Sequence, residues 1–461
     1  MNTQHSASKA QYPDRLYFMG LDLGTSAIKG VVIDAVGNVV AEANRRTTLT
    51  HPKVGWVETD PEQHYLDVCE VIRRLVADAP GPIAALAISA ASGNTLLTDK
   101  NGKPLTPVIS WMDERAEDPL PEVLNALSPE GVRQITGWPC VDRFPLAHLA
   151  WLREHRSRLF RSAEHYGMNT DWLLFRLTGN WAMDHSTATT FHMQDQVEGH
   201  YHQPFLNLLD IPEDTLSSLV ESGAIAGHVT PTAANDTGLP LGTSVVAGCF
   251  DHPSAARAMG VLEPGKLMLS CGTSWVGFFP EMDRQRIIDA KLLCDSFLSE
   301  TGGPWGAIFS VSRIGRTVDW YVDHVIAPHE QDKMRIFDET AAAAEPGAGG
   351  LLIDLLKPPC PIDAETKNVS RAVMEGAARL LNQKIKQLES RGMAFKQATM
   401  VGGPSRSPVW PGIVEEITGI ELSVGSSHAG AKGAALLAGI GVGIYSDARD
   451  AFEQTRSRHD N

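Results

Sequence analysis

Near the start of the chain, hydrophobic residues occur in short runs that tight turns separate. The run at 16–23, LYFMGLDL, is rich in β-forming residues, and Gly-Thr-Ser at 24–26 ends it. Apolar runs at 28–33 and 39–43 follow, with turn residues at 34–38 between them. The pattern predicts three strands joined by tight turns, a β-meander.

The hydrophobic spacing then changes from that of strands to that of a helix. Asp60 is a candidate N-cap, and Pro61 suits the first helical position. Apolar residues recur at helical spacing after them, at Tyr65, Val68, Cys69, Ile72 and Leu75. A continuous apolar run at 83–89 predicts a buried strand. A meander followed by a helix and a strand is typical of an α/β fold.

The second half of the chain repeats the opening pattern. A predicted strand at 266–270, Gly-Thr-Ser at 272–274 and a strand at 276–279 match the first strand–turn–strand unit. Further predicted elements are a short helix at 170–177, an amphipathic helix at 371–388, a strand at 398–401, and a helix of small residues at 429–438. We therefore expect two domains built on one plan, at 12–244 and 245–461.

Charge and cysteine content exclude several classes of protein. Lys and Arg total 40 against 55 Asp and Glu, a net charge of −15, which is the wrong sign for a protein that coats nucleic acid. The six cysteines are widely spaced, form no Cys-x-x-Cys and have no histidines at zinc spacing, which suits a reducing compartment.

Hydropathy predicts no association with a membrane. The first fifteen residues lack the apolar stretch of a signal peptide, and the longest apolar runs are too short to cross a bilayer. We expect a cytoplasmic protein with no membrane or nucleic-acid partner. The sequence leaves a homodimer open.

The segment from Asp22 to Lys29 carries a carboxylate, a glycine turn and a cation in sequence. Exposed backbone N–H groups and the hydroxyls of Thr25 and Ser26 form a small concavity that suits phosphate oxygens. Asp22 can hold Mg²⁺ through its waters, and Lys29 adds positive charge. An ordinary hairpin whose glycine supplies a positive φ is the alternative.

Two later segments offer similar hydrogen-bonding groups. SCGTS at 270–274 repeats the first turn, so the two turns could hold a triphosphate between two domains. GGPS at 402–405 follows a predicted strand and precedes a predicted helix around 410–417. Paired glycines let the backbone approach a flat ligand, and a helix N-terminus favours anions. A plain hairpin and a structural loop are the respective alternatives.

Asp251 ends an apolar strand near the predicted domain boundary, in GCFDHP at 248–253. Ligands tend to bind in clefts between domains, and a carboxylate there can accept a proton from a substrate hydroxyl. His252 is also titratable, but a lone histidine is more often a hydrogen-bonded part of the scaffold.

Taken in order, these segments resemble the FGGY carbohydrate kinases, which include xylulose, gluconate and glycerol kinases. The resemblance extends from about residue 17 to residue 445. It rests on GLDLGTSAIKGVVID at 20–34, GWVETDPEQHY at 55–65, WMDER at 111–115, GCFDHPS at 248–254, CGTS at 271–274 and GGPSRSPVW at 402–410.

The resemblance implies an α/β fold of two ribonuclease H-like domains, as in the actin, hexokinase and Hsp70 superfamily, with ATP and a sugar in the cleft between them. It implies phosphorylation of a hydroxyl of a sugar, polyol or sugar acid, with Asp251 as general base and substrate contact and Asp22 positioning Mg²⁺. The residues implied around ATP are Gly24, Thr25, Ser26, Lys29, Gly272, Thr273, Gly315, Asp319, Gly402, Gly403 and Ser405. Those implied around the sugar, besides Asp251, are Asn94, Asp113 and Arg115.

The chain departs from the family pattern where substrate specificity is set. Many members have long polar or basic side chains where this chain has ASGN at 91–94, and small or amide residues where it has Phe250, His252 and Pro253. The sequence therefore does not name the sugar.

Two other functions use the same fold. An actin- or Hsp70-like ATPase would convert ATP hydrolysis into a conformational change, and a non-catalytic sugar sensor would only bind. The segments that resemble the sugar pocket and the catalytic region favour a kinase over an ATPase, and the intact Asp22 and Asp251 argue against a sensor.

Overall fold

The computed structural model of the protein describes residues 16–139, 142–311, 314–426 and 428–456. Residues 1–15, on which the expectation about a signal peptide rests, and Cys140 lie outside the described residues. Within the described residues, none of the helices combines the length and the apolar composition that a membrane span requires.

The strands are numbered in chain order. They are β1 Tyr17–Leu23, β2 Ala27–Asp34, β3 Val39–Arg46, β4 Glu58–Thr59, β5 Ile83–Ala90, β6 Leu96–Thr98, β7 Val108–Ile109, β8 His165–Gly167, β9 Ala182–Asp184, β10 Gln194–Asp195, β11 His200–Tyr201, β12 Ser218–Val220, β13 Ile225–His228, β14 Ser244–Phe250, β15 Lys266–Cys271, β16 Trp275–Glu281, β17 Leu293–Asp295, β18 Trp305–Val311, β19 Gln397–Gly402 and β20 Glu421–Val424.

The α-helices are numbered in the same way. They are α1 Pro61–Asp78, α2 Pro129–Thr136, α3 Phe144–His155, α4 Ser157–Ser162, α5 Asn169–Thr178, α6 His185–Phe191, α7 Gln203–Leu209, α8 Pro231–Thr237, α9 Asp251–Ala258, α10 Arg284–Asp289, α11 Ile314–Tyr321, α12 Lys333–Ala342, α13 Thr366–Glu389, α14 Trp410–Thr418, α15 Ala429–Gly441 and α16 Ala448–Thr455.

The chain folds into two compact units that are each discontinuous in sequence. Unit 1 contains the described residues up to Gly260, Asp295–Glu300, and the described residues from Gly430 onward. Unit 2 contains Val261–Cys294 and Thr301–Ala429. This division by packing differs from the predicted domains, 12–244 and 245–461, because β14 and the last two helices pack with the first sheet.

The sheet of unit 1 has six strands in the order β13-β14-β5-β1-β2-β3. The first three strands form the predicted antiparallel meander, and β5 lies parallel to both β1 and β14. Helix α1 begins as predicted, since the Asp60 carboxylate accepts a hydrogen bond of 3.0 Å from the backbone N–H of Gln63. Its apolar face packs on the sheet.

The sheet of unit 2 repeats the order of five of these strands, and its sixth strand, β17, lies at the opposite edge from β13. Its strands run β17-β18-β16-β15-β19-β20, with β15, β16 and β18 antiparallel in sequence and β19 parallel to both β15 and β20. Three antiparallel strands followed by two parallel ones therefore occur in each unit. The predicted α/β class and the prediction of two domains built on one plan are confirmed.

Parallel strands bring their carboxyl ends to one edge of each sheet. In unit 1, Leu23 pairs with Ala90, and Ala90 pairs with Phe250. In unit 2, Cys271 pairs with Gly402. Ligands of open α/β sheets bind beyond the carboxyl ends of the strands. The residues that follow these five strand ends are therefore the candidates for a site.

A buried polar network fixes the end of β14. The Ser186 hydroxyl accepts a hydrogen bond of 3.2 Å from the Phe250 N–H and donates to the Asp295 carboxylate at 2.9 Å. The Phe297 N–H also donates to that carboxylate, at 2.8 Å. Arg257 on α9 donates to the carbonyl of Phe297 at 2.9 Å. The segment 295–300 thereby holds both β14 and α9.

Burial makes Asp295 and two neighbouring acids, Glu300 and Asp184, hard to ionise. It raises the pKa of Asp295 to about 8, of Glu300 to about 7 and of Asp184 to about 6. The neutral form of each acid is therefore favoured in the folded protein relative to the unfolded chain.

We expect Asp295→Asn to weaken the pH dependence of stability. A folded-state pKa above the unfolded value of 3.8 means that the native state binds the proton more tightly, so stability present below pH 3.8 is lost as the pH rises toward about 8. Urea unfolding across that range should show a smaller fall in the variant than in the wild type. If the free energy of unfolding falls equally in the two proteins, the neutral state of Asp295 is contradicted.

Candidate active site

A pocket within unit 1 lies at the carboxyl ends of β1 and β5. Gly24 and Thr25 of the first turn line it together with Asn94 and Trp111. The structure thus brings two predicted phosphate contacts and one predicted sugar contact into a single pocket, which we call the unit 1 pocket. Ser26 and Lys29 are exposed beside it on the turn and on β2.

Hydrogen bonds hold the first turn in shape. The Gly24 N–H donates to the Ala27 carbonyl at 3.0 Å, and the Thr47 hydroxyl donates to the Gly24 carbonyl at 3.0 Å. The indole N–H of Trp111 donates to the Thr25 hydroxyl at 3.0 Å. Trp111 therefore couples the turn to the loop that carries the predicted sugar contacts.

Asp22 and Asp251 influence each other electrostatically at the same edge of the sheet. Burial, and after it the negative charge of Asp251, raises the pKa of Asp22 to about 7, while Lys29 opposes the rise. Lys29 is the residue opposite Asp22 in the β1–β2 register. A Cβ at Gly430 would lie 2.6 Å from an Asp22 carboxylate oxygen, so α15 can approach only because this position is glycine.

Asp251 is the first residue of α9, directly after β14. Its side chain is 29% exposed, and its carboxylate accepts a hydrogen bond of 2.6 Å from the N–H of His252. The His252 ring lies 4.0 Å from the same oxygen, Oδ1. Asp251 is thus held at one oxygen and remains accessible.

Asp113 and Arg115 lie in a buried ion-pair cluster and do not line the unit 1 pocket. Asp113 is fully buried; its carboxylate accepts from the Val57 N–H at 2.6 Å and from the Arg115 Nε at 2.7 Å. Arg115 also pairs with Glu58 at 2.6 Å and stacks on Trp56. These contacts shape the loop that follows Trp111. A direct contact of either residue with the sugar stays a prediction.

Unit 2 contains a second cavity, of about 420 Å³, at the carboxyl end of β15. We call it the unit 2 pocket. The predicted nucleotide residues that line it are Gly272, Thr273, Gly315, Asp319 and Gly403. Side chains that the sequence did not single out complete its walls: Trp275, Asp338, Arg406, Ser407 and Trp410.

Gly402 and Ser405, the other two predicted nucleotide residues of this unit, support the wall of the unit 2 pocket and do not line it. Gly402 has a φ of +102°, and a Cβ there would lie 2.2 Å from the Cys271 carbonyl oxygen. The Ser405 hydroxyl donates to the Gly402 carbonyl at 2.8 Å. Their predicted contact with the nucleotide stays a prediction.

The start of α11 packs directly on the second Gly-Thr-Ser turn. The Gly315 N–H donates to the Thr273 carbonyl at 2.9 Å, and a Cβ at Gly315 would lie 2.4 Å from the Gly272 carbonyl oxygen. Because such a distance is far below a van der Waals contact, the turn and the helix require glycine at position 315.

The unit 1 pocket also contains residues that sequence reasoning missed. His64 reaches it from α1, and Asn169 and Thr170 reach it from the first turn of α5. The pattern predicts a helix at 170–177 but carries no signal that its start faces the first Gly-Thr-Ser turn. That neighbourhood arises from packing between elements that are distant in sequence.

Comparisons with known proteins agree with this geometry. A family model described as the FGGY family of carbohydrate kinases, N-terminal domain, matches residues 17–258. The chain is 26% identical to the xylulose kinase of Bacillus subtilis, over 95% of this chain and 91% of that one. It is 29% identical to the autoinducer-2 kinase of Yersinia pestis, over 97% and 89% respectively.

Solved structures show the same relationship. The crystal structure of the xylulose kinase from Rhodospirillum rubrum aligns with a TM-score of 0.84 at 25% identity, over 95% of this chain and 92% of that one. The gluconate kinase from Lactobacillus acidophilus aligns with a TM-score of 0.84 at 20% identity, which shows the shared fold. The family model covers more than half of the chain and confirms the predicted resemblance: the chain belongs to the FGGY family of carbohydrate kinases.

Proposed function

We propose that the protein transfers the γ-phosphoryl group of ATP to a hydroxyl of a sugar, polyol or sugar acid, with Asp251 as the general base. The observation that carries the proposal is the alignment of the carboxyl ends of β1, β5 and β14, which places Asp22 and Asp251 at the same edge of the unit 1 sheet. The unit 1 pocket opens at the same edge, beyond Leu23 and Ala90. The acceptor hydroxyl and the phosphate-binding turn would therefore lie close to each other.

The unit 2 pocket supports a nucleotide site. Its volume of about 420 Å³ lies within the range of small-ligand pockets. Trp275 and Trp410 provide apolar walls. Gly315 and Gly403 have no side chain that would separate their backbone from the cavity. These features suit the flat base and the ribose of ATP. The turn containing Gly272 and Thr273 offers N–H and hydroxyl donors for the phosphates.

The acidic residues of unit 1 fit a magnesium ion. Mg²⁺ prefers oxygen ligands and keeps several waters, so one or two carboxylates suffice to hold it. Desolvation and the charge of Asp251 raise the pKa of Asp22, and a cation there would favour its ionised form. When bound, Mg²⁺ supplies neutralisation of the phosphate charge. No group of three or more potential metal ligands occurs within the described ranges, which suits an ion shared with ATP and water.

Asp251 needs only modest basicity for this role. In phosphoryl transfer the transition state is loose, and the hydroxyl proton leaves late, so positioning contributes more than base strength. The accessible Asp251 carboxylate accepts a hydrogen bond from the acceptor hydroxyl. This hydrogen bond directs a lone pair of the hydroxyl oxygen toward the γ-phosphorus of ATP. The Ser186–Asp295 network, which fixes Phe250 and α9, holds that carboxylate in place.

We expect Asp251→Asn to lower kcat by about 10²–10⁴-fold, because the amide cannot take the proton. The KM for ATP should change little. A coupled assay of ADP release with a panel of ketoses, alditols and aldonates measures both constants. Asp214→Asn, which changes an exposed carboxylate of unit 1, is the matched control and should leave both constants unchanged.

The same assay separates the kinase from its alternatives. A kcat of the Asp251→Asn variant within threefold of the wild type would exclude the base role. ATP turnover that needs no added acceptor would indicate an actin- or Hsp70-like ATPase. Binding of sugar with no turnover by the wild type would indicate a sensor.

We expect Gly315→Ala to weaken ATP binding, because the added methyl group would push the 272–274 turn away from α11. Overpacking of this kind costs about 1–3 kcal/mol, which as a loss of affinity is about 5–150-fold. Titration with ATP and thermal unfolding should be measured together. Gly412→Ala is the control, since nothing lies within 4 Å of a Cβ there. Unchanged ATP affinity in a folded Gly315→Ala protein would place the nucleotide elsewhere.

A further inference from the structure

We propose that unit 1 contains a second binding site, for a small organic phosphate, at a cavity beside α4. The cavity holds about 370 Å³, which lies within the range of small-ligand pockets. We call it the α4 cavity. The lining residues that bear on a ligand are Arg153, Ser157, Phe160, Arg161, Tyr166 and Asp210. The α4 cavity and the unit 1 pocket share none of their described lining residues, so this site is separate from the proposed catalytic edge.

The floor of the α4 cavity belongs to the packed core of unit 1. Phe160 and Tyr166 are 2% and 4% exposed, and their ring centroids lie 5.0 Å apart. The Tyr166 hydroxyl donates to the Phe160 carbonyl at 2.7 Å, which joins β8 to α4. The cavity therefore has a preformed shape, and the accessible groups that can meet a ligand are the polar side chains around this floor.

Arg161 provides the cavity with a positive charge that no carboxylate neutralises. Its side chain is exposed, and its Nη2 lies 3.5 Å from the Ser157 hydroxyl oxygen. Among the residues that the structure describes, Arg161 takes part in no ion pair. A guanidinium has five N–H donors, and the Ser157 hydroxyl adds one more. Together they can hold a single oxyanion.

The other arginine of the cavity is already paired with an acid. Arg153 Nε donates to Asp210 Oδ2 at 3.2 Å, and Arg153 Nη2 contacts the same oxygen. The charges of this pair cancel, so the lining carries one net positive charge, that of Arg161. Exposed residues of both signs adjoin the cavity in sequence: Arg156, Arg158, Glu164, Glu213 and Asp214. The preference of the cavity for an anion therefore depends on Arg161.

The donors and the volume favour an organic phosphate over a carboxylate. A phosphate monoester carries about −1.5 to −2 charges at pH 7 and three strong acceptor oxygens, whereas a carboxylate carries one charge and two oxygens. The volume leaves room for a body of sugar size beside the phosphate. Asp210 Oδ1, the carboxylate oxygen that does not bind Arg153, can accept a hydrogen bond from a hydroxyl of that body. The ligand class is therefore a phosphorylated sugar or polyol.

Three probes that differ in the anion and in the attached body test the ligand class: glucose 6-phosphate, glucuronate and inorganic phosphate. Calorimetric titration of the full-length protein without ATP, at about 0.15 M salt, measures their affinities. Glucose 6-phosphate should bind about fivefold or more tightly than either of the others, because it alone combines a phosphate with a ring. Failure of glucose 6-phosphate to bind, or equal or tighter binding of glucuronate or inorganic phosphate, would overturn the proposal.

Variants of two arginines on α4 locate the binding. Arg161→Gln should weaken the binding of glucose 6-phosphate about tenfold or more, because it removes the unpaired charge. Its kcat and its KM for ATP should stay within about twofold of the wild type. Arg158→Gln is the matched control, since it removes the same charge from the same helix at a residue that does not line the cavity. Its affinity should stay within about twofold, because salt screens exposed charges.

Two results with these variants would contradict the site. Unchanged binding in a folded Arg161→Gln protein would place the phosphate elsewhere, for example at the catalytic edge. An equal loss in Arg161→Gln and Arg158→Gln would indicate a diffuse electrostatic attraction to the surface and not a cavity. Because none of these titrations requires turnover, the proposal can fail while the proposed function stands, and the reverse also holds.

Asp210→Asn tests the charge balance in the opposite direction. The variant raises the net charge of the lining by one, so glucose 6-phosphate should bind about three- to tenfold more tightly. Asp210 has a φ of +56°, a conformation that asparagine also adopts, so the backbone can accommodate the change. Loss of stability alone would not tighten binding, and the melting temperature is measured alongside. Unchanged or weaker binding in the folded variant would count against the proposal.

Discussion

The parallel alignment of β1, β5 and β14 is the constraint on which the site depends. Backbone pairing brings the ends of these strands to one edge, so the acids that follow or precede those ends lie at that edge. Asp22 and Asp251 are far apart in sequence, yet the charge of Asp251 contributes to the raised pKa of Asp22. The fold keeps two mutually repelling carboxylates together because the hydrogen bonds of the sheet and the burial of its core outweigh that repulsion.

Elements defined by local chemistry were predictable. The meander of unit 1 follows from short apolar runs and turn residues, and α1 follows from Asp60, Pro61 and helical spacing. The repeat of a strand, a Gly-Thr-Ser turn and a strand indicated the second sheet, five of whose strands repeat the order of the first. The turn residues that line the two pockets were also predicted, because glycine and hydroxyl side chains mark phosphate-binding turns in sequence.

Features that arise from tertiary packing were not predictable. His64 lies on a helix face that periodicity describes only as buried, and its contact with Asn169 joins positions over a hundred residues apart. Asp113 and Arg115, which the resemblance implies as sugar contacts, lie in a buried ion-pair cluster, because Glu58 and Trp56 reach them from a segment more than fifty residues earlier in the chain. Strand pairing assigns β14 to the first sheet, and no change of composition marks this assignment in the sequence. The predicted domain boundary stays a prediction.

The discontinuity of unit 1 has a consequence for how the protein is made. Its sheet strands are synthesised within the first 250 residues, but Gly430, which packs against Asp22, follows only after all of unit 2 has been translated. The Ser254 hydroxyl likewise bonds to the Gly430 carbonyl. The nascent chain therefore carries a sheet with one face uncovered while all of unit 2 is translated. The edge of the sheet that carries Asp22 is therefore completed only after unit 2 has been synthesised.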